Sequence, residues 1–331
     1  MTGIMTRTTL AAVFVAPNQP FAMQEYPLEP TGVDRILVRT TMGTICRSDI
    51  HSWQGIRHNP SPGILGHEII GTIEEIGGAI VSDLQGQTLR IGDRVTWTEY
   101  FYCGECYYCA VLDTPQMGIN IRKYGHEGAD AAPHFLGGFA EYCYILPRTG
   151  IVRIPDDMSD EEAAPVMCGV PTMVAATESV SIGIGDAVVI QGLGLLGLYG
   201  ISIARARGAR TVIGLDSVKE RLELARRFGA DQVFDVSETS GDELVGAVRD
   251  ACPPDGADTV IEVCGDPSVI PQGLDMLRVG GRYAVTGITF PNAHVSLDVN
   301  RILARMATIR GVHNYHPRHL VQACLLYTSP S

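Results

Sequence analysis

The sequence predicts an α/β protein in two parts: a β-rich, barrel-like first half and a doubly wound parallel sheet in the second. Short apolar runs between Gly/Pro turns fill residues 1 to about 155, as in an all-β domain. From Asp186 onward, strand-like and helix-like segments alternate, the pattern that builds a parallel sheet. Between the two, Ser159-Asp-Glu-Glu162 has the spacing of a capping box and opens a helix near Asp160.

Taken in order, residues 10–16 read as a first strand closed by Pro17-Asn18 rather than as a signal peptide. Residues 35–39, 69–76, 94–97 and 140–146 read as further strands. In the second half, 187–191 reads as a buried strand and 195–207 as a helix with small residues on one face. Strand 211–215 and helix 219–228, closed by Gly229, follow, with more strands at 232–236, 259–263 and 282–286. A helical pattern begins at His319 and lacks a stop signal. The expectation is a native sequence cut short near Cys324 and continued by a foreign or frame-shifted tail.

At 331 residues, 45% hydrophobic and 19% charged, the chain has the make-up of a two-domain soluble protein. Its net charge of −12 repels phosphate backbones, so a nucleic-acid partner is not expected. No run reaches the roughly 18 apolar residues of a membrane helix. Nine cysteines, with three spaced at 103, 106 and 109, point to metal binding in a reducing cytoplasm rather than to a disulfide framework.

Two motifs carry chemistry. Gly192-Leu-Gly194-Leu-Leu-Gly197 follows a strand and opens a helix, the setting of a dinucleotide loop. Gly192 permits the tight turn, Gly194 lets backbone approach a pyrophosphate, and Gly197 lets helix and sheet close up. The helix N-terminus then offers unpaired N–H groups to the phosphates. Asp216 ends the next strand, where a carboxylate accepts ribose hydroxyls and repels a 2′-phosphate, favouring NAD. Arg221 lies near enough in sequence to touch the same ribose. An alternative role for Asp216 is N-cap of helix 219–228. The second motif is Cys46, His67 and Cys168, thiolates and an imidazole that suit Zn²⁺, although spacing alone does not bring them together.

With Cys46-x-Ser48-Asp49, Gly66-His67-Glu68-x-x-Gly71-x5-Gly77, Gly92-Asp-Arg-Val95, Cys103-Gly-x-Cys106-x-x-Cys109, Cys168-Gly169 and the glycine loop, the chain resembles the zinc-dependent alcohol dehydrogenases of the medium-chain dehydrogenase/reductase superfamily. The resemblance spans residues 35 to about 290. It implies a GroES-like catalytic domain over 1–158, a Rossmann NAD-binding domain over 159–310, and the start of a C-terminal return segment over 311–331. It further implies a homodimer or homotetramer.

Carried over residue by residue, the resemblance makes Cys46, His67 and Cys168 ligands of a catalytic zinc, with Glu68 behind the metal. Asp49 would fix the tautomer of His67. Arg47 would face the pyrophosphate, and Thr172, Gly287 and Ile288 would flank the nicotinamide. Ser48 would take the alcohol proton and pass it through a cofactor ribose hydroxyl to His51. Cys103, Cys106 and Cys109 match a structural zinc lobe whose fourth cysteine, expected near 117 or 118, is replaced by Met117 and Gly118. A vacant or weak site is expected there, unless Asp113 bends inward.

Trp53, Trp97 and Glu99 are placed at the substrate pocket by the resemblance, and Glu99 suits a polar alcohol. The stretch from Cys106 to His126 resembles a sub-branch associated with phosphonate breakdown, in which Arg57 and His58 would meet an anionic group. Two alternatives differ in their demands. A metal-free quinone or enoyl reductase needs no zinc ligands, and a non-catalytic NAD-binding sensor or scaffold needs no turnover.

Overall fold

Along the strand Thr8–Phe14 buried and half-exposed residues alternate, as a strand with one face on a core requires. A computed structural model describes residues 7–288 and 290–328. The chain forms two units, one of Met1–Pro171 with His316–Ser331 and the other of Thr172–Tyr315.

In the first unit, Thr8–Phe14 lies between Ala22–Pro27 and the short Gly63–Ile64 in a three-stranded sheet. A second sheet of six strands is antiparallel throughout. At its centre Ile36–Thr44 pairs with Glu68–Ile76 and with Tyr142–Ile145, and Glu68–Ile76 pairs with Arg94–Phe101. One core cluster joins these strands, with Ile36, Val38, Ile69, Val95, Trp97, Phe135 and Tyr144 among its members.

Arg94–Phe101 runs four residues past its expected end at Trp97. Nearly every residue in it is buried, so the alternation that marks a strand is missing from its sequence. Trp97 is wholly buried and packs edge-on against Tyr124. It is a core residue and does not line a substrate pocket, contrary to the expectation.

The second unit is a six-stranded parallel sheet. Its order is Gln232–Asp235, Thr211–Asp216, Ala187–Gln191, Ala257–Glu262, Leu277–Val285, Thr308–Gly311. The first three lie in reverse chain order and the last three in forward order, the doubly wound arrangement with its switch beside Ala187–Gln191. Along that strand Val188 and Ile190 face one core cluster while Ala187 and Val189 face the other. Leu277–Val285 begins five residues before the expected start at 282, because Gly280-Gly281 reads as a break in the sequence.

The capping box forms as expected: Ser159 Oγ accepts from the Glu162 N–H, and the Glu162 carboxylate accepts from the Ser159 N–H. The helix Pro317–Thr328 docks through Leu320, Ala323 and Cys324. The last residues of the suspected foreign tail, 329–331, lie outside the described residues.

Candidate metal centre and cofactor loop

Cys46, His67 and Cys168 each sit where one element hands over to another. Cys46 is the N-cap of the helix Arg47–Trp53, and Asp49 Oδ2 accepts its backbone N–H at 2.9 Å. His67 immediately precedes the strand Glu68–Ile76. Cys168 separates the 3₁₀ turn Ala164–Met167 from the helix Gly169–Ser179. A buried hydrogen bond from the Ile69 N–H to Met167 Sδ, at 3.1 Å, ties the His67 segment to the Cys168 segment.

These junctions bring donors together. One ligand atom from each of Cys46, His67, Glu68 and Cys168 lies within 4.8 Å of the others. Donors about 2.0–2.3 Å from a shared tetrahedral ion stand roughly 3.3–3.8 Å apart, so the set fits zinc. His67 Nδ1 is 3.2 Å from Asp49 Oδ1. The approach is too bent for a straight N–H···O bond, so attraction to the buried carboxylate orients the ring. Nε2 is left on the Ser48 side, 3.3 Å from Ser48 Oγ.

The electrostatics favour a cation. The Cys46 thiol is pulled down to about 4, chiefly by its hydrogen bond from Cys168, whose own thiol is pushed well up. Burial would lower His67, but Asp49 holds it well above the usual imidazole range. Burial raises Glu68 to about 7 with Cys46 reinforcing it, and Thr44 Oγ1 donates to its carboxylate at 2.5 Å. Several proton-holding groups crowded around one point are what a divalent ion displaces or neutralises. His51 is half-buried on the same helix as Ser48, and burial followed by Arg47 lowers it.

Three charged or polar groups beside this centre were invisible as a set in the sequence. Lys123 Nζ lies 3.8 Å from Glu99 Oε1, both largely buried. Burial opposes the Glu99 charge, yet Lys123, then His67 and His126, hold its carboxyl below the usual range. The His126 ring stands 5.5 Å from that of His67, edge to face, and burial followed by Arg57 drives it down to about 3, so it is neutral. His58 is exposed.

In the cysteine lobe the sulfurs of Cys103, Cys106 and Cys109 also lie within 4.8 Å of one another. Asp113 does not bend inward: its Oδ1 is 3.0 Å from His316 Nε2.

In the second unit the glycines divide the labour as their order suggests. Gly192 has φ +97°, and a Cβ there would stand 2.6 Å from Cys264 Cβ. A Cβ on Gly197 would overlap the Gly192 carbonyl oxygen. A Cβ on Gly194 would meet nothing within 4 Å, so this glycine leaves room for something the chain itself does not supply. That free space at the start of the helix Leu195–Ala206 fits a pyrophosphate.

Asp216 is not the N-cap of the next helix; Val218 is. Asp216 Oδ1 accepts from the Ser217 and Val218 N–H groups and Oδ2 from the Leu193 N–H at 2.7 Å. Three backbone donors use three of the roughly four acceptor sites of a carboxylate. Arg221 Nη1 is 3.6 Å from Oδ2. A residue the sequence did not single out, the fully buried Glu262, accepts from the Gly287 N–H at 3.0 Å and the Gly265 N–H at 2.6 Å. Ile288 packs on the neighbouring core cluster. Arg47 and Thr172 belong to different units.

The alcohol dehydrogenase GroES-like domain family matches residues 32–156, and the zinc-binding dehydrogenase family matches residues 196–327. 5-exo-Hydroxycamphor dehydrogenase of Pseudomonas putida is 30% identical over 96% of this chain and 86% of its own. The chain belongs to the zinc-dependent alcohol dehydrogenase family of the medium-chain superfamily. Sorbitol dehydrogenase of Halalkalibacterium halodurans is 30% identical over 90% of this chain and 81% of its own. An alcohol dehydrogenase structure from Thermotoga maritima superposes with a TM-score of 0.93 at 32% identity, covering 97% of this chain and 89% of that one.

Proposed function

We propose that this chain moves hydride between a polar alcohol and NAD, with the aldehyde or ketone as substrate in reverse. The convergence of Cys46, His67, Glu68 and Cys168 donors on one point carries the reading. It argues against a metal-free reductase, which has no use for such a set. Bound there, zinc supplies Lewis acidity to a substrate oxygen and NAD supplies the hydride acceptor. Cys46, His67 and Cys168 hold the ion, and Glu68 is a carboxylate within reach of it. Asp49 positions the His67 ring. Ser48 takes the alcohol proton, and His51, on the next turn of the same helix, carries it toward solvent. The glycine loop takes the pyrophosphate, and Arg47, Thr172, Gly287, Ile288 and Arg221 are assigned to the cofactor by the family pattern.

The neighbourhood of Glu99, Lys123 and His126 supports a polar substrate. A buried charged pair beside the reacting atoms gains from a partner that hydrogen-bonds it and loses with an alkyl group. A panel of polyols, phosphonate-bearing alcohols and plain alkyl alcohols tests this with NAD and NADP, with and without a zinc chelator. Turnover of polar alcohols with NAD, abolished by chelation and restored by zinc, is the expected result. Chelator-resistant turnover, or cofactor binding with no turnover of any alcohol, would overturn it. In the same panel Lys123→Met is expected to cut kcat/KM for the best polar alcohol about 10- to 100-fold, leaving alkyl alcohols within about threefold.

Asp216 has one acceptor site left for a ribose hydroxyl, and its charge repels a 2′-phosphate. Asp216→Asn keeps the shape and one acceptor oxygen, removes the charge, and turns the other oxygen into an amide that faces a backbone N–H of Leu193 or of Ser217 and Val218. The expected outcome is a KM for NAD raised about tenfold and a discrimination against NADP reduced by a similar factor, with kcat nearly unchanged. Steady-state kinetics with both cofactors check it.

The edge strand Thr308–Gly311 is exposed along its length, and nearby Leu303 and Met306 are 74% and 75% exposed. A bare strand edge flanked by apolar side chains supports a homo-oligomer, a dimer or tetramer. Among the described residues no helix is long and apolar enough to cross a membrane. Among the described residues none of the nine cysteines is in a disulfide, which is consistent with a reducing, cytoplasmic setting.

A further inference from the structure

The cysteine lobe is built for thiolates and lacks a corner. Cys109 Sγ stands 3.4 Å from Cys106 Sγ and 3.9 Å from Cys103 Sγ. Sulfurs about 2.3 Å from a shared tetrahedral ion stand roughly 3.8 Å apart, so three corners are in place. The backbone supports them: the Ile119 and Cys109 N–H groups bond the Cys106 sulfur, and the Gly104 N–H bonds the Cys109 sulfur. Such donors stabilise anionic sulfur and give a neutral packing cysteine little.

The missing corner is Gly118. A Cβ placed there would stand 3.8 Å from Cys106 Sγ, 3.2 Å from the Pro115 carbonyl oxygen and 2.9 Å from Cys109 Sγ, close enough that the Cys109 side chain must give way for a residue larger than glycine. Its φ of −56° suits any L residue, so backbone conformation does not demand glycine. Asp113, the nearest carboxylate in sequence, is committed to His316 and faces Arg318 at 3.9 Å. A cavity of about 720 Å³ borders Cys109, with Tyr102, Arg148, His316 and Arg318 also on its wall, giving an ion a way in and out.

Zinc held by three sulfurs must complete its shell from solvent. An ion with a lone pair, such as trivalent arsenic, is satisfied by three sulfurs. The geometry points to an exchangeable three-thiolate site that holds zinc loosely and yields it to three-coordinate thiophilic ions. With arsenite the exchange balances without an oxidant. Zinc held by three thiolates, arsenic trihydroxide and three protons from solvent give three As–S bonds, a free zinc ion and three waters, each hydroxide leaving with one of those protons.

The test uses the full chain loaded with zinc and titrated with sodium arsenite. Released zinc is read with a chromogenic chelator, free thiols with a disulfide dye, and folding by circular dichroism. One zinc released and three thiols lost per arsenic are expected in the unmodified chain, and neither in Cys109→Ser. Gly118→Cys is expected to raise the arsenite needed for half-release at least about tenfold. A coordinating group should matter no less than the supporting partners whose loss costs about 10- to 100-fold in metal affinity. Equal zinc release from the unmodified chain and Cys109→Ser would overturn the proposal. So would equal resistance to arsenite in the unmodified chain and a folded Gly118→Cys. Should Gly118→Cys fail to fold, the Cys109→Ser comparison decides alone.

Discussion

Cys46→Ser is expected to strip zinc from the buried centre and lower kcat/KM for alcohol oxidation about a thousandfold or more. That is the scale of the several kcal/mol a Lewis-acid ion contributes at a developing alkoxide. The fold should persist. Cys46 is a helix N-cap whose own N–H is held by Asp49, and serine is among the best N-cap residues. A hydroxyl keeps the cap but is a far weaker zinc ligand than a thiolate. Metal content by elemental analysis, kinetics and a melting curve are measured together. Unchanged turnover in a variant that has lost its zinc would mean the ion at this centre is not catalytic. Lost turnover with zinc retained would mean that Cys46 acts in some way other than holding it.

The second large effect separates two glycines three residues apart. Gly197→Ala forces a methyl group into the Gly192 carbonyl, backbone against backbone, with no flexible side chain to give way. A loss of about 2–4 kcal/mol in stability is expected, as for other overpacked or strained sites, together with loss of NAD binding. Gly194→Ala meets empty space, so the melting temperature should hold within a degree or two. Its KM for NAD should still rise about tenfold or more, because the methyl occupies the approach of the pyrophosphate. Denaturant titration and NAD binding by fluorescence distinguish the two. Equal destabilisation by both would contradict the division of roles between these residues.

Much of this was legible because local rules and tertiary demands coincide. The strand Ala187–Gln191 and the capping box at Ser159 came out as read, each fixed by a short-range pattern. The glycine loop was legible for the same reason, since each glycine answers a backbone constraint. What failed to show depends on neighbours distant in sequence. Trp97 looks like a pocket residue by position, yet sheet packing against Tyr124 buries it. Asp216 resembles a helix cap in one dimension, and only the fold brings the Leu193 N–H onto its carboxylate. Lys123 and Glu99 are 3.8 Å apart but far apart in the sequence, so no periodicity links them. Gly118 could not be told from Met117 as the absent fourth position until the sulfurs were in place.

The hydrogen bond from Ile69 to the Met167 thioether has a consequence for assembly order. It joins two segments 98 residues apart, the start of the strand Glu68–Ile76 beside His67 and the turn Ala164–Met167 beside Cys168, so the ligand set comes together only when these two have met. A growing chain that has not yet reached Cys168 carries only part of the ligand set. Tight ion binding is therefore expected to follow, not precede, the closing of these segments on one another.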